Sequence, residues 1–149
     1  MRRARATIVV PGRIIEAEEL WYDPHRWAAW VDGFGHVNRL EGDWPDVGAR
    51  LVWDSPPRGR GRVQEVVTAY EARARQSREV EDDRLSGIQT VEFDSAGADE
   101  VRLTLTLDYE LKNRHAFTPL VDRLYIRREL TESLRRTLTR FGHERRAEL

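Results

Sequence analysis

The sequence predicts an α+β fold in which a curved antiparallel β-sheet of about seven strands packs against one long C-terminal helix. Residues 100–111 alternate between apolar and polar side chains, the pattern of a strand with one dry and one wet face. The middle of the chain consists of strand-like segments separated by turn signals. From about Thr118 to about Phe141 the apolar residues recur with a helical period, which predicts a helix of roughly 30 Å or more.

The N-terminal third predicts one strand followed by two short helices. Residues 4–10 are short and β-branched, so they favour a strand that ends at a Pro-Gly pair. Residues 14–21 fit a short helix, with a continuation of the strand through Ile15 as the alternative. Asp23-Pro24 has the residue types that cap and start a helix, and we expect this second helix to end at the glycines that follow position 32.

Six further strands are expected where apolar or β-branched runs lie between turn signals: residues 36–41, 50–53, 62–71, 73–81, 85–93 and 100–111. One face of such a sheet has to be buried, and only the C-terminal helix is long enough to cover it. We expect Thr118-Pro119 to start this helix and Gly142 to end it.

Length and composition narrow the class of protein. A chain of 149 residues, 40% hydrophobic and 34% charged, fits a single domain spanning residues 1–149 with a real core. The formal net charge of -1 argues against a nucleic-acid partner. No apolar run approaches the roughly 20 residues of a membrane span, and the N-terminal apolar stretch is too short for a signal peptide. We therefore expect a cytoplasmic, soluble monomer or homodimer without integral membrane association.

Several kinds of reactive site are excluded by residue content or spacing. The absence of cysteine excludes disulfides, thiolate zinc sites, iron–sulfur clusters and cysteine nucleophiles. The four histidines lack the spacing of a metal site, so no metal is expected. The sequence has no nucleophile elbow, phosphate-binding glycine loop or dinucleotide fingerprint. We expect no cofactor.

Three stretches carry a resemblance to a known family: Asp23-Pro24 followed by Trp27 and Trp30, the Gly-Asp-Trp-Pro-Asp-Val-Gly run at 42–48, and the tail from Phe117-Thr118-Pro119-Leu120 through Asp122, Arg127-Arg128 and Leu134. With the order of elements, they resemble the START/Bet v 1-like (SRPBCC) superfamily over nearly the whole chain, most closely its polyketide cyclase/dehydrase branch. The resemblance implies a helix-grip fold, in which the sheet wraps the long helix and encloses a hydrophobic cavity. Members of the family carry lipids, sterols, quinones or polyketides, and some cyclise or dehydrate polyketide intermediates.

The residues expected to line such a cavity are aromatic or apolar, with one arginine among them: Trp27, Trp30, Trp53, Tyr70, Leu105, Leu107, Tyr109, Leu120, Leu124 and Arg127. Trp27 and Trp30 are three residues apart and share one helix face. For any single tryptophan, ordinary core packing is the alternative.

Catalytic residues are not implied by the resemblance, because the family has no universal catalytic motif. The weak candidates are Glu65, Arg127, Arg128 and Tyr109. Glu65 shares strand parity with two valines, so it is expected to point inward as a general base, with contact to solvent or to an arginine as the alternative. One of Arg127 and Arg128 should lie near the inward stripe and recognise an acidic or enolate-like group, the alternative being a solvated helix face. Tyr109 could donate to a carbonyl oxygen.

Three functions follow, in this order of preference. The first is binding of a hydrophobic small molecule (a lipid, quinone or polyketide-like compound) between the sheet and the C-terminal helix. The second is a cofactor-independent polyketide cyclase or dehydrase that uses an inward arginine or tyrosine and a carboxylate. The third is a protein-interaction domain with a vestigial cavity, whose arginine-rich helix face docks an acidic partner.

Overall fold

The computed structural model describes residues 1–112 and 120–149, with the side chains of the second range described from residue 123 onward. Within these ranges the chain forms seven strands and three helices. The strands are β1 (Arg2–Pro11), β2 (His36–Glu41), β3 (Arg50–Asp54), β4 (Arg62–Glu71), β5 (Arg75–Glu81), β6 (Leu85–Gly97) and β7 (Glu100–Leu111). The helices are α1 (Ile14–Trp21) and α2 (Trp27–Trp30), both between β1 and β2, and the C-terminal α3 (Leu120–Ala147).

The seven strands form one antiparallel sheet in the order β1-β7-β6-β5-β4-β3-β2. Strands β2 to β7 follow one another as hairpins, whereas β1 pairs with β7, with Arg2 opposite Tyr109. The first strand therefore lies beside the last, and the sheet ends at β1 on one side and β2 on the other. The predicted α+β class, with an antiparallel sheet, a long C-terminal helix and two short helices after the first strand, is confirmed.

The core lies between the inner face of the sheet and the second half of α3. The apolar face of β7 is as predicted, because its odd-numbered apolar residues from Val101 to Tyr109 are all buried, but Thr104 and Thr106 of the predicted wet face are buried as well. Leu134, Leu138 and Phe141 of α3 are buried with them. Their spacing of four and three residues places them on one helix face.

The structure corrects the predicted end of α3. The helix does not end at Gly142 but continues to Ala147. A Cβ atom at position 142 would lie 2.8 Å from Cδ1 of Ile8. Gly142 therefore allows close approach of α3 to β1. In the sequence, a glycine with this role looks the same as a glycine that ends a helix.

The start of α2 also differs from the prediction. Asp23 and Pro24 lie in a turn before the helix, where Oδ1 of Asp23 accepts a hydrogen bond from the His25 backbone N–H at 3.0 Å. This is the local bond that aspartate makes in turns. Residues 14–21 are helical, so the alternative of a longer first strand is wrong. The predicted helix start at Thr118-Pro119 lies outside the described residues.

Among the described residues, no helix is both long enough and apolar enough to cross a membrane.

We predict that the two halves of α3 contribute unequally to stability. Leu138 is 1% exposed, whereas Leu124, near the other end of the helix, is 56% exposed. Leu138→Ala should lower the free energy of unfolding by about 2–5 kcal/mol, because it leaves a cavity in the core. Leu124→Ala should change it by less than about 0.5 kcal/mol. Urea unfolding followed by circular dichroism measures both, and equal losses would contradict this packing.

Candidate functional site

An enclosed cavity of about 60 Å³ lies between the inner face of the sheet, α2 and α3. All five tryptophans of the chain line it: Trp21, Trp27, Trp30, Trp44 and Trp53. Strands β3 to β7 contribute its floor through residues such as Leu51 and Leu105, and α3 closes it with Leu134 and Thr137. A more open groove between β1 and α3, of about 510 Å³, is lined by Arg5, Ala6, Thr7, Ile8, Arg135, Leu138 and Thr139.

Aromatic rings pack against one another around the enclosed cavity. The rings of Trp21 and Trp30 stack with their centroids 4.6 Å apart, and both meet Phe141 edge-on. Phe34, in the loop after α2, places its ring 6.3 Å from that of Trp27 and 5.3 Å from that of Trp53. Phe34 is only partly buried, so this ring lies where the cavity approaches the surface.

Three of the five indole N–H groups donate hydrogen bonds within the protein. Trp27 Nε1 donates to the carbonyl oxygen of Trp21 at 2.8 Å, and Trp44 Nε1 donates to that of Tyr22 at the same distance. Trp53 Nε1 donates to Oε2 of Glu65 at 2.7 Å. The indole N–H of Trp30 is buried and has no hydrogen-bond partner among the described residues.

A buried ion pair forms the polar end of the cavity. Glu65 on β4 and Arg78 on β5 are 6% and 8% exposed, and Oε1 of Glu65 lies 3.1 Å from Nη1 of Arg78. The guanidinium carbon of Arg78 lies 5.8 Å from the centre of the Trp44 ring, within the range of a cation–π contact. The cavity therefore has mixed walls. The sequence predicted mainly aromatic and apolar walls with one arginine, Arg127, whereas the arginines found here are Arg60 and Arg78.

Tyr22 lies close enough to this ion pair for the charge of Arg78 to act on it. Burial raises the pKa of the Tyr22 phenol, and the positive charge of Arg78 partly opposes that rise. The hydroxyl is buried without a hydrogen-bond partner among the described residues. Tyr22 therefore stays a neutral phenol over the physiological pH range.

A second cluster of charges fixes the loop after α2 to α3. The carboxylate of Asp32 accepts hydrogen bonds from Ser133 at 2.7 Å, from both Nε and Nη2 of Arg136, and from Arg140 at 3.2 Å. Its backbone N–H donates to the Thr137 hydroxyl at 3.0 Å. Burial by itself would raise the pKa of Asp32, but the bonds from Arg136 and Ser133 and the charges of both arginines hold it below its usual value.

Arg60, in the loop between β3 and β4, lies over the same cavity. Its Nε lies 2.8 Å from Oδ2 of the buried Asp82, and its guanidinium carbon is 5.3 Å from the centre of the Trp53 ring. The loop is thereby held against the aromatic wall by an ion pair and a cation–π contact.

Five of the residues singled out from the sequence meet at this cavity: Trp27, Trp30, Trp53, Leu105 and Glu65. Leu107 and Tyr109 are buried in β7 but do not line it. Tyr70 packs its ring 5.9 Å from that of Tyr22, also outside the cavity. The side chain of Leu120 lies outside the described residues.

Arg127, Arg128 and Leu124 do not face the cavity, contrary to the expectation for the long helix. Both arginines are exposed, and Arg127 Nε donates to the backbone carbonyl oxygen of Arg3 at 3.2 Å. Arg127 is two helical turns before the buried Leu134 and so lies on the same side of α3, yet its side chain is exposed. The expectation assumed that the sheet continues under this part of α3, but at Arg127 the helix has reached the end of the edge strand β1.

Arg78 is the main residue that the sequence reasoning missed. It shares strand parity with Val80, which is the one apolar residue of β5 and marks the inward face. The same parity places Gln76 inside, where its Nε2 donates to the carbonyl oxygen of Pro45. Asp32 and Phe34 lie in a loop, and no periodic signal marks their direction.

The described residues contain no group of three or more histidine, aspartate or glutamate side chains placed to hold a metal ion.

Solved structures with the same arrangement cover nearly the whole chain. A START superfamily protein from Mycobacterium smegmatis is 16% identical with a TM-score of 0.72, covering 95% of this chain and 97% of its own. Norcoclaurine synthase from Thalictrum flavum, in complex with dopamine and hydroxybenzaldehyde, is 13% identical with a TM-score of 0.68, covering 95% and 84%. The chain has the START/Bet v 1-like fold.

DynU16, a protein of the dynemicin biosynthetic locus, also shares this fold, at 21% identity and a TM-score of 0.67. The match covers 95% of this chain but 46% of DynU16, so the chain spans about half the length of that protein. No family model and no curated protein matches the chain. The resemblance to START/Bet v 1-like proteins is thus confirmed at the level of the fold.

We predict that the Glu65–Arg78 pair is strongly coupled. Glu65→Leu or Arg78→Met alone leaves one unpaired buried charge in the START/Bet v 1-like core and should cost about 3–5 kcal/mol of unfolding free energy. The double variant removes both charges and should be more stable than either single variant. Chemical denaturation of the four proteins measures the coupling.

The exposed pair Glu132–Arg135 serves as the control for this cycle. Its coupling should stay below about 0.5 kcal/mol, since solvent screens it. A Glu65–Arg78 double variant that loses the sum of the two single losses would contradict a coupled pair.

We predict that Asp32 makes stability depend on pH in the acid range. Because the folded-state pKa lies below the ordinary value of 3.8, the stabilisation is present above that value. It is lost as pH falls through the folded-state pKa. Asp32→Asn should lose about 0.5–1 kcal/mol near neutral pH, after allowance for solvent screening. The difference from the wild type should shrink below about pH 4.

Urea unfolding between pH 7 and pH 3 measures this effect. Asp43→Asn, at an exposed position, is the matched control and should follow the wild type throughout. A constant difference between Asp32→Asn and the wild type across the whole range would show that the carboxylate of Asp32 is not the titrating group.

Proposed function

We propose that this chain, acting as one domain, binds a small, flat and mainly hydrophobic molecule in the tryptophan-lined cavity. The observation that carries the proposal is the convergence of all five tryptophans on one cavity that also holds a buried ion pair. Aromatic walls with a few placed polar groups are typical of ligand sites. A core that only needed filling would gain little from a buried ion pair, since apolar side chains of similar size are often at least as stable.

The volume of the cavity limits the class of ligand. Sites for drug-sized molecules enclose roughly 300–1,000 Å³, and a cavity that binds benzene encloses about 150 Å³. The 60 Å³ found here holds a few water molecules, so ligand entry requires a side chain to move. Among lipids, quinones and polyketide-like compounds, this size favours a compact ring system and disfavours a long acyl chain.

Phe34 is the side chain best placed to move. Its ring lies between those of Trp27 and Trp53, and it is partly exposed on a loop. The preceding Gly33 has a φ of +74°, a conformation that glycine adopts without strain. If Phe34 swings outward, a ligand ring can take its place against the same two indoles.

The solved structures support a ligand of this kind. Norcoclaurine synthase, which shares the fold, is described in complex with dopamine and hydroxybenzaldehyde, two single-ring aromatic molecules. DynU16 belongs to a biosynthetic locus for a natural product. The first observation fits a cavity that accepts aromatic rings.

A cofactor-independent cyclase or dehydrase is the second candidate, and the position of Glu65 in the cavity wall favours it. A general base needs a carboxylate oxygen within hydrogen-bond reach of the substrate. In this structure Oε1 of Glu65 is paired with Arg78 and Oε2 accepts from Trp53. Glu65 is thus occupied as the partner of an arginine, which ranks binding above catalysis.

The third candidate, an interaction domain that docks an acidic partner on α3, has less support. Of the arginines on its outer face, Arg136 and Arg140 bind Asp32, and Arg135 binds Glu132. These internal partners neutralise much of the charge that an acidic protein would recognise.

We predict that Phe34→Ala opens the cavity. α-Methylstyrene, a flat hydrocarbon with one ring, should bind roughly tenfold more tightly to this variant than to the wild type, because it no longer competes with the Phe34 ring. The unfolding free energy should fall by about 1–3 kcal/mol, less than for a fully buried phenylalanine. Calorimetric titration measures the affinity, and thermal unfolding confirms that the variant is folded.

Tyr125→Ala is the matched control, since it removes an exposed aromatic ring from α3. Its affinity for α-methylstyrene should equal that of the wild type. Comparison of the native and denatured masses of the purified protein gives an independent test, because a bound ligand adds mass that disappears on denaturation. A protein without added mass whose Phe34→Ala variant binds no probe would rule out the proposed function.

A further inference from the structure

Two buried hydrogen-bond donors, on residues that line the cavity, have no partner among the described residues. The indole N–H of Trp30 and the Nε–H of Arg78 are buried, and neither donates to any of the described residues. Both residues line the cavity. A buried N–H without an acceptor is destabilising by about 1–3 kcal/mol, so such groups are uncommon unless something satisfies them.

The two carboxylates of the same wall are already occupied. Both oxygens of Glu65 are engaged, by Arg78 and by Trp53. Both oxygens of Asp32 accept from side chains of α3. The carboxylates are therefore not free to accept from a ligand, whereas Trp30 and Arg78 each have a donor to spare, and the ligand group that complements these two donors is an acceptor.

The charged side chains at the polar end of the cavity determine whether a charged or a neutral acceptor fits there. Arg78 is neutralised by Glu65 and Arg60 by Asp82. A carboxylate on the ligand would be desolvated and would lie near Glu65, a like charge in a buried place. A neutral carbonyl oxygen avoids both penalties and still accepts from Trp30 and Arg78.

A cationic ligand fits less well, although tryptophan cages bind ammonium groups in other proteins. The rings of Trp44 and Trp53 already meet the guanidinium groups of Arg78 and Arg60. A further positive charge would lie beside two others.

We infer that the ligand carries a neutral carbonyl oxygen, as in a ketone or a quinone, which accepts hydrogen bonds from Trp30 and Arg78 while its ring packs among the tryptophans. This inference rests on the proposed function and adds the functional group by which the site selects among flat molecules. In an aromatic ketone the carbonyl lies in the plane of the ring, so the oxygen stays at the edge of a flat molecule whose faces pack on the indoles.

Three probes of nearly equal shape test the inference: acetophenone, α-methylstyrene and benzoate. Acetophenone has a C=O where α-methylstyrene has a C=CH2, so the pair differs mainly in one acceptor. In the wild type and in Phe34→Ala, acetophenone should bind about three- to tenfold more tightly than α-methylstyrene, as expected for one hydrogen bond. Benzoate should bind most weakly. Calorimetric titration gives the three affinities.

Two variants locate the acceptor. Trp30→Phe keeps a ring but removes the indole N–H, and Arg78→Lys keeps the charge opposite Glu65 but removes the Nε–H. Each should lower the ratio of the acetophenone affinity to the α-methylstyrene affinity toward one. The ratio is measured within one protein, so a general loss of packing affects both probes alike.

The indole N–H signals in a proton–nitrogen correlation spectrum give a second readout. On addition of acetophenone, the Trp30 signal, assigned from Trp30→Phe, should move downfield more than those of Trp27 and Trp44, whose N–H groups already have partners. Equal affinities for acetophenone and α-methylstyrene, or tighter binding of benzoate, would overturn the inference and leave the proposed function intact. Failure of all three probes to bind either protein would overturn both.

Discussion

The apolar inner face of the seven-stranded sheet has to be covered. The positions of the helices, the aromatic rings and the cavity all depend on how it is covered. α3 packs mainly against β1, and Leu134, Leu138 and Phe141 of its second half are buried in the core. The remaining width of the sheet is covered by α1, α2 and the loops around them, which contribute large aromatic rings. The cavity lies where these elements meet.

Within this aromatic cover, the Glu65–Arg78 pair is held by more than its own charges. Trp53 donates to the second carboxylate oxygen, and the ring of Trp44 lies beside the guanidinium group. These contacts compensate part of the desolvation cost of two buried charges. They also give two tryptophans defined orientations, so the polar end of the cavity and its aromatic walls form one connected structure. The Asp32 cluster extends this order to the loop that carries Phe34.

Periodicity in the sequence is sufficient to predict the sheet and the long helix, because strand parity and helical phase act over only a few residues. For Glu65, strand parity predicts a buried position, and the contact found there is the alternative one, with an arginine. The same information was available for Arg78, whose parity with Val80 places it inside, although an arginine in a polar strand does not attract attention as a core residue. Contacts between residues that are far apart in the sequence cannot be predicted from periodicity. The helical phase of Arg127 says nothing about where the sheet ends, and the sequence around Gly142 does not show that Ile8 lies against it. The loop residues Asp32 and Phe34 depend on tertiary contacts alone.

The buried ion pair also gives this core an unusual response to heat. The penalty for removing charges from water falls as temperature rises, because the hydration of ions carries a strongly negative entropy. Apolar packing gains no comparable advantage on heating, since its contribution per unit area levels off. The polar end of the cavity therefore becomes relatively more favourable as the protein approaches its melting temperature. On warming, the pairing of Glu65 with Arg78 is therefore weakened less by its desolvation penalty than it is at low temperature, whereas the aromatic contacts around Phe34 have no such gain.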